Sequence, residues 1–159
     1  MKEFKKQLES GDIIKAYQGL MVYFRELRTH FKDKYTAYSI PGNIYYGYMD
    51  MTYFAILPES LKQRKLKIAI VFVYDAFRFE VWLSGMNRKV QVQYNKLIEE
   101  TGWDKYHLTP NPGSEDSILD QVLVEDPDFS DLDLLTEKID SGTLKFINDV
   151  EDFFSEYDN

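Results

Sequence analysis

LKIAIVFVYDAFRFEVWLSGMN, residues 66–87, holds two runs of β-branched and aromatic residues separated by Asp75 and Ala76. Such residues suit a pleated, half-buried surface, so Lys67–Tyr74 and Phe77–Leu83 are expected as the strands of an antiparallel hairpin. The connection lacks the glycine that a two-residue turn prefers, which points to a slightly longer turn. Side chains along a strand alternate between faces. Phe77, Phe79, Val81 and Leu83 therefore share a core face with Ile68, Ile70, Phe72 and Tyr74. Arg78, Glu80, Trp82 and Ser84 stand on the opposite face beside Lys67, Ala69, Val71 and Val73. A carboxylate among small apolar and aromatic neighbours must pair with a cation or have its pKa pushed up, and perturbed carboxylates concentrate at functional sites. Glu80, Arg78 and Trp82 are thus candidate ligand-binding residues.

Upstream of the hairpin, Ile13, Tyr17, Leu20, Phe24, Leu27 and Phe31 recur at spacings of four and three. They form one apolar stripe of a helix from Asp12 to Phe31, with Asp12 as its expected N-cap. Phe4 and Leu8 mark a short helix before it, over Met1–Glu9. Tyr35–Leu57 changes to Tyr, Ile, Thr and Phe around Pro41, Gly42 and Gly47, a composition of strands interrupted by a turn, ending at Pro58. Downstream, Val90, Tyr94, Leu97 and Ile98 set a helix that Gly102 can terminate. Short strands are expected at Tyr106–Thr109 and Ile118–Val124, with the loop TPNPGSEDS between them. Leu132, Leu135, Ile139, Phe146, Val150 and Phe153 hold helical phase across Gly142, where a glycine costs about 1 kcal/mol relative to alanine and favours a kink or break. The expected fold is α+β, one domain over residues 1–159. An N-terminal amphipathic helix packs on a mainly antiparallel sheet, followed by a helix and a long acidic C-terminal helix.

Composition narrows the function. No cysteine is present, which removes disulfides, thiolate metal sites and cysteine nucleophiles and suggests a reducing compartment. The opening MKEFKKQLESGD places charges where a signal peptide needs an apolar run, and the longest apolar stretch, Ile68–Val73, is far shorter than the roughly 20 residues of a membrane span. A cytoplasmic location without a membrane partner is expected. Charge divides unevenly: residues up to Gly113 carry 17 basic and 12 acidic side chains, those from Ser114 on carry 2 and 15. The acidic segment is expected to pack its apolar stripe on the body and to set carboxylates near the basic surface. With a net charge of −8, binding to nucleic acid through many phosphates is disfavoured. GxGxxG, Walker A, GxSxG and HExxH motifs are all absent, so no cofactor and no metal site is assigned.

Two further groups are candidate ligand-binding residues. Asp50 in GYMDMTYF is a second carboxylate within an aromatic strand. With Glu80 it would supply the paired carboxylates that hold a catalytic divalent metal in a restriction-endonuclease-like core. That core needs a Glu-x-Lys, and here the residue two after Glu80 is Trp82. Arg25 and Arg28 lie on one side of the first helix, able to meet a phosphate or carboxylate, and Lys62, Arg64, Lys65 and Lys67 form a basic run. The two histidines, His30 and His107, sit in unlike contexts.

The segments KAYQGLMVYFRELRTHFKDKY, GYMDMTYF, LKIAIVFVYDAFRFEVWLSGMN and SGTLKFINDVEDF resemble an uncharacterised family of bacterial cytoplasmic proteins classed only as a domain of unknown function. The resemblance implies no reaction or ligand. RFEVWL followed by a helix is also similar to short segments of endonuclease-like proteins of unknown function. Together these readings favour a non-catalytic binding or interaction module over an enzyme. Its partner is an unknown protein or small molecule, or a second copy of the chain; the alternative is an inactive or divergent restriction-endonuclease-like protein with its site at Asp50 and Glu80.

Overall fold

β1 (Met51–Ile56), β2 (Leu66–Val73), β3 (Arg78–Gly85), β4 (His107–Leu108) and β5 (Leu119–Glu125) form one antiparallel sheet in the order β1-β2-β3-β5-β4. The structure is a computed structural model and describes residues 1–159. Around the sheet run α1 (Lys2–Ser10), α2 (Asp12–Lys34), the one-turn α3 (Glu59–Lys62), α4 (Arg88–Thr101) and α5 (Leu132–Asp158). The fold is α+β, with helices at the N-terminal side and a long helix at the C-terminal side, as the periodicities indicate.

Burial along β1 alternates, Thr52, Phe54 and Ile56 inward and Met51, Tyr53 and Ala55 outward. The same phase runs into β2 and β3, where Ile68, Ile70 and Phe72 lie with Phe79, Val81 and Leu83 in a single core. Phe24, Leu27 and Phe31 of α2 and Leu135, Ile139, Phe146 and Val150 of α5 cover that face. Burying each of these side chains contributes roughly 1.5–3 kcal/mol. The acidic segment is therefore part of the core rather than an appendage: nine of the 26 core residues come from after Ser114, Ile118 and Phe154 among them.

Several local expectations are corrected. The hairpin turn takes four residues, Tyr74–Phe77, with Phe77 at φ 48 closing on Tyr74 by a 3.2 Å backbone bond. Phe77 leaves the strand and is 47% exposed instead of joining the core. Tyr35–Leu57 yields one strand, preceded by a strap whose backbone bridges it at Ser39↔Leu57 and Tyr45↔Tyr53, with Thr52 Oγ1 donating to the Tyr46 carbonyl at 2.7 Å. Asp12 is the first helical residue, and the N-cap is Gly11 at φ 80. Gly142 does not break α5, which is continuous from Leu132 to Asp158. A Cβ there would stand 2.7 Å from Leu123 Cδ2, so the glycine lets the helix lie close on β5, where the register shifts opposite Phe79 and Glu80.

Candidate functional site

The sheet face turned away from α2 and α5 carries the polar set. Val71 is paired with Glu80, Ala69 with Trp82 and Val73 with Arg78. Glu80 is only 6% exposed, and both carboxylate oxygens are used. Arg78 Nε donates to Oε2 at 2.8 Å and Trp82 Nε1 donates to Oε1 at 2.9 Å. The charge is thus neutralised by a cation and fixed by the indole, which suits a buried carboxylate better than either partner alone. Asp120, opposite Trp82 on β5, accepts from His107 Nδ1 at 3.0 Å and from Ser117 Oγ at 3.3 Å. That hydrogen bond, reinforced by the carboxylate charge, holds the His107 pKa above its usual value.

Beside this cluster the same face forms an open cleft of about 500 Å³. Tyr45, Tyr53 and Trp82 give it aromatic walls, and Lys67, Arg88, Asp50 and Asp116 give it charge. Lys67 Nζ lies 5.4 Å from the centre of the Tyr53 ring, a cation–π distance, and makes no ion pair, so its ammonium is free for a ligand. Asp116 lines the cleft, and the loop segment 112–116 that carries it is held in place. Arg88 donates to the carbonyls of Pro112, at 2.9 Å, and of Glu115, while Ser84 Oγ donates to that of Asp116 at 2.7 Å. The backbone N–H of Gly85, which lines the cleft, donates to Gln91 Oε1 at 2.7 Å. Any Cβ there would meet Gln91 N at 2.5 Å. Asp50 accepts from Tyr48 N at 2.9 Å, and the bonds from the Tyr48 and Met51 backbones hold its carboxyl below the usual carboxylate range.

A family model described as Domain of unknown function (DUF7000) matches residues 1–154. The chain belongs to the DUF7000 family. No curated protein and no solved structure matches it. In this DUF7000 chain no helix is long and apolar enough to cross a membrane.

The candidate residues do not gather in one place. Glu80, Arg78 and Trp82 form a single bonded cluster, but Asp50 lies in the turn before β1 rather than within the strand. Glu80 pairs with Val71 and Val71 with Tyr53, so Asp50 is two strands across and three residues along from Glu80. At about 4.8 Å per strand and 3.3 Å per residue, their backbones are on the order of 14 Å apart, beyond the reach of one shared metal ion. Arg25 and Arg28 belong to α2 on the other side of the sheet. Arg28 Nε donates to the Pro41 carbonyl at 3.1 Å, and neither arginine forms an ion pair. Of the basic run only Arg64 meets an acidic residue of the C-terminal segment, Asp158.

The carboxylates of that segment find other cations. Asp140, 4% exposed, receives His30 Nε2 at 2.6 Å, Lys34 Nζ at 2.9 Å and the Tyr35 hydroxyl, joining α5 to α2. Burial pushes its carboxyl up, but the three donors outweigh it and hold the pKa below the usual range. Asp149 receives Lys145 Nζ and the Tyr106 hydroxyl and pairs with Lys105. Asp140 directly follows Ile139 at the border of the apolar stripe, which is the one signal in the sequence that it turns inward. Asp116 comes from a segment distant from Lys67 and Arg88, and nothing local announces that it meets them.

Proposed function

We propose that this α+β unit, acting as one domain over residues 1–159, is a non-catalytic binding module. Its ligand is a small molecule or peptide end that combines a planar apolar group with an anionic group. The observation that carries the reading is the cleft itself. An unpaired Lys67 lies against the Tyr53 ring in a cleft that Trp82 also lines, and a volume near 500 Å³ lies within the roughly 300–1,000 Å³ typical of ligand sites. The ammonium would take the anion and the aromatic walls the planar group. Catalysis is not favoured, because the nearby carboxylates are separately engaged, Glu80 with Arg78 and Trp82, Asp50 with its own turn. Intrinsic fluorescence tests the proposal. In a Trp103→Phe background Trp82 is the sole indole, and titration with adenosine monophosphate and with benzoate should quench it saturably. Lys67→Gln should weaken that binding at least tenfold. Binding that is unchanged by Lys67→Gln, or absent for both probes, would remove the cleft from consideration.

A further inference from the structure

On the helical side of the molecule an apolar groove of about 520 Å³ opens between α2, the Tyr74–Phe77 turn and the loop before α5. Tyr17, Leu20, Phe72, Tyr74 and Phe129 form much of it, and every lining residue except Gly19 is hydrophobic. Beside its rim, the segment that supplies Phe129 and Leu132 carries Asp126, Asp128 and Asp131, exposed and in no ion pair, Asp128 accepting from Ser130 and Asp131 from Leu134 N at the start of α5. The groove is thus an apolar trough with an acidic edge.

α1 has the complementary character. No residue of this nine-residue helix is buried, although Phe4 and Leu8 form an apolar pair one turn apart, 51% and 38% exposed. Lys2, Lys5 and Lys6 outnumber Glu3 and Glu9 on the same helix, and because Lys5 pairs with Glu9 at 3.6 Å, Lys2 and Lys6 are the cations left to meet a partner. A helix this short is marginal in water without packing, since roughly 12–15 residues are needed even for favourable sequences. Its own groove is out of reach: only Gly11 separates α1 from α2, whereas an antiparallel helix pair needs a connection of about 2–5 residues.

We infer that α1 of a second copy occupies the groove, reciprocally, so that two chains form a two-fold dimer. Phe4 and Leu8 of one protomer lie over Tyr17 and Leu20 of its partner, and the lysines of α1 face the aspartates of the rim. The symmetry follows because each chain carries both the helix and the groove.

The full chain tests this by sedimentation velocity over a range of concentrations, with circular dichroism to verify folding. Phe4→Glu in the helix and Ala16→Glu at an exposed groove position should each weaken the dimer roughly 100-fold or more, because a symmetric interface loses the contact twice. Since the chain contains no cysteine, exchange is read directly by mixing Phe4→Cys chains with Ala16→Cys chains under oxidising conditions. A disulfide between unlike chains, forming faster in the mixture than in either variant alone, supports the arrangement. A chain that stays monomeric throughout overturns it. So does a dimer insensitive to both charged variants, or an intrachain disulfide in the Phe4→Cys/Ala16→Cys double variant, which would mean that α1 folds onto its own groove.

Discussion

Replacing Glu80 with alanine removes the acceptor of two donors at once, Arg78 Nε at 2.8 Å and Trp82 Nε1 at 2.9 Å. A hydrogen bond to a charged group contributes about 1.5–3 kcal/mol net when its partner is left stranded. Two terms reduce the total. The Arg78 side chain is 34% exposed and regains water, which brings its share toward the surface range of about 0–1 kcal/mol. Removing the carboxylate also relieves its own desolvation. The indole N–H has less recourse, and loss of the aliphatic stem at a site 6% exposed adds a small cavity cost. The expected loss is about 1.5–3 kcal/mol. At about 2–4 °C per kcal/mol for a chain of this size, Tm should fall by roughly 3–12 °C. Glu80→Gln keeps the volume and one acceptor oxygen but turns an NH2 toward the second donor, so about half the loss is expected. Urea and thermal unfolding followed by fluorescence measure both variants, and a double-mutant cycle with Arg78→Met isolates the pair. Wild-type or higher stability in both variants would show that the cluster does not stabilise the sheet, and the reasoning from its geometry would fail.

Four other outcomes are expected. His107 is held above its usual pKa by Asp120, so its contribution is present below the unfolded value and fades as pH rises through the folded one. An NMR titration should show its midpoint fall in Asp120→Asn, and an unchanged midpoint contradicts the pairing. Asp149 is pushed up by burial but drawn down to about 2 by Lys145, Tyr106 and Lys105; its stabilisation is present above the unfolded carboxylate value and disappears as pH falls toward 2. The stability gap between wild type and Asp149→Asn should therefore close across that acid range, and a gap independent of pH refutes the assignment. Purified protein with magnesium or manganese should leave single- and double-stranded DNA intact, whereas metal-dependent cleavage abolished by Glu80→Gln would restore the nuclease reading. Truncation after Gly113 should abolish cooperative unfolding, because it removes nine core residues with β5 and α5; a folded fragment would contradict the core described here.

Legibility followed the range of the interactions. Alternation in β2 and β3 needs only neighbours in sequence, so the face shared by Arg78, Glu80 and Trp82 could be read directly, and so could the stripes of α2 and α5. Tyr35–Leu57 misled because its tyrosines favour strands by composition, while Pro41, Gly42 and Gly47 let the chain form only isolated bridges along β1. Gly142 misled in the other direction. Its helical cost is local and visible, but the benefit, room for Leu123, depends on a strand packed across from it. The cleft was the least legible feature. Lys67 and Arg88 are neighbours through the β2–β3 hairpin, but Asp116 joins them only because β5 pairs with β3, a matter of topology that no window of sequence contains. The pairing of the acidic segment with His30, Lys34, Lys105 and Arg64, instead of Arg25 and Arg28, has the same origin: charge indicates attraction but not which cations stand within reach.

The position of α5 bears on how the chain is made. β1, β2 and β3 can pair early against α2, but α5, which completes the cover of their inner face, is synthesised after all of them. At about 5–20 residues per second, the ribosome needs roughly 1–5 s to make the 27 residues of Leu132–Asp158, and longer before they clear the exit tunnel. During that interval Ile70, Phe72, Phe79 and Val81 have only the α2 half of their cover. The nascent sheet then keeps an unpaired β3 edge and a half-covered apolar face, attractive to chaperones and to neighbouring chains on the same polysome. Slowing translation through Leu132–Asp158 should therefore lower soluble yield.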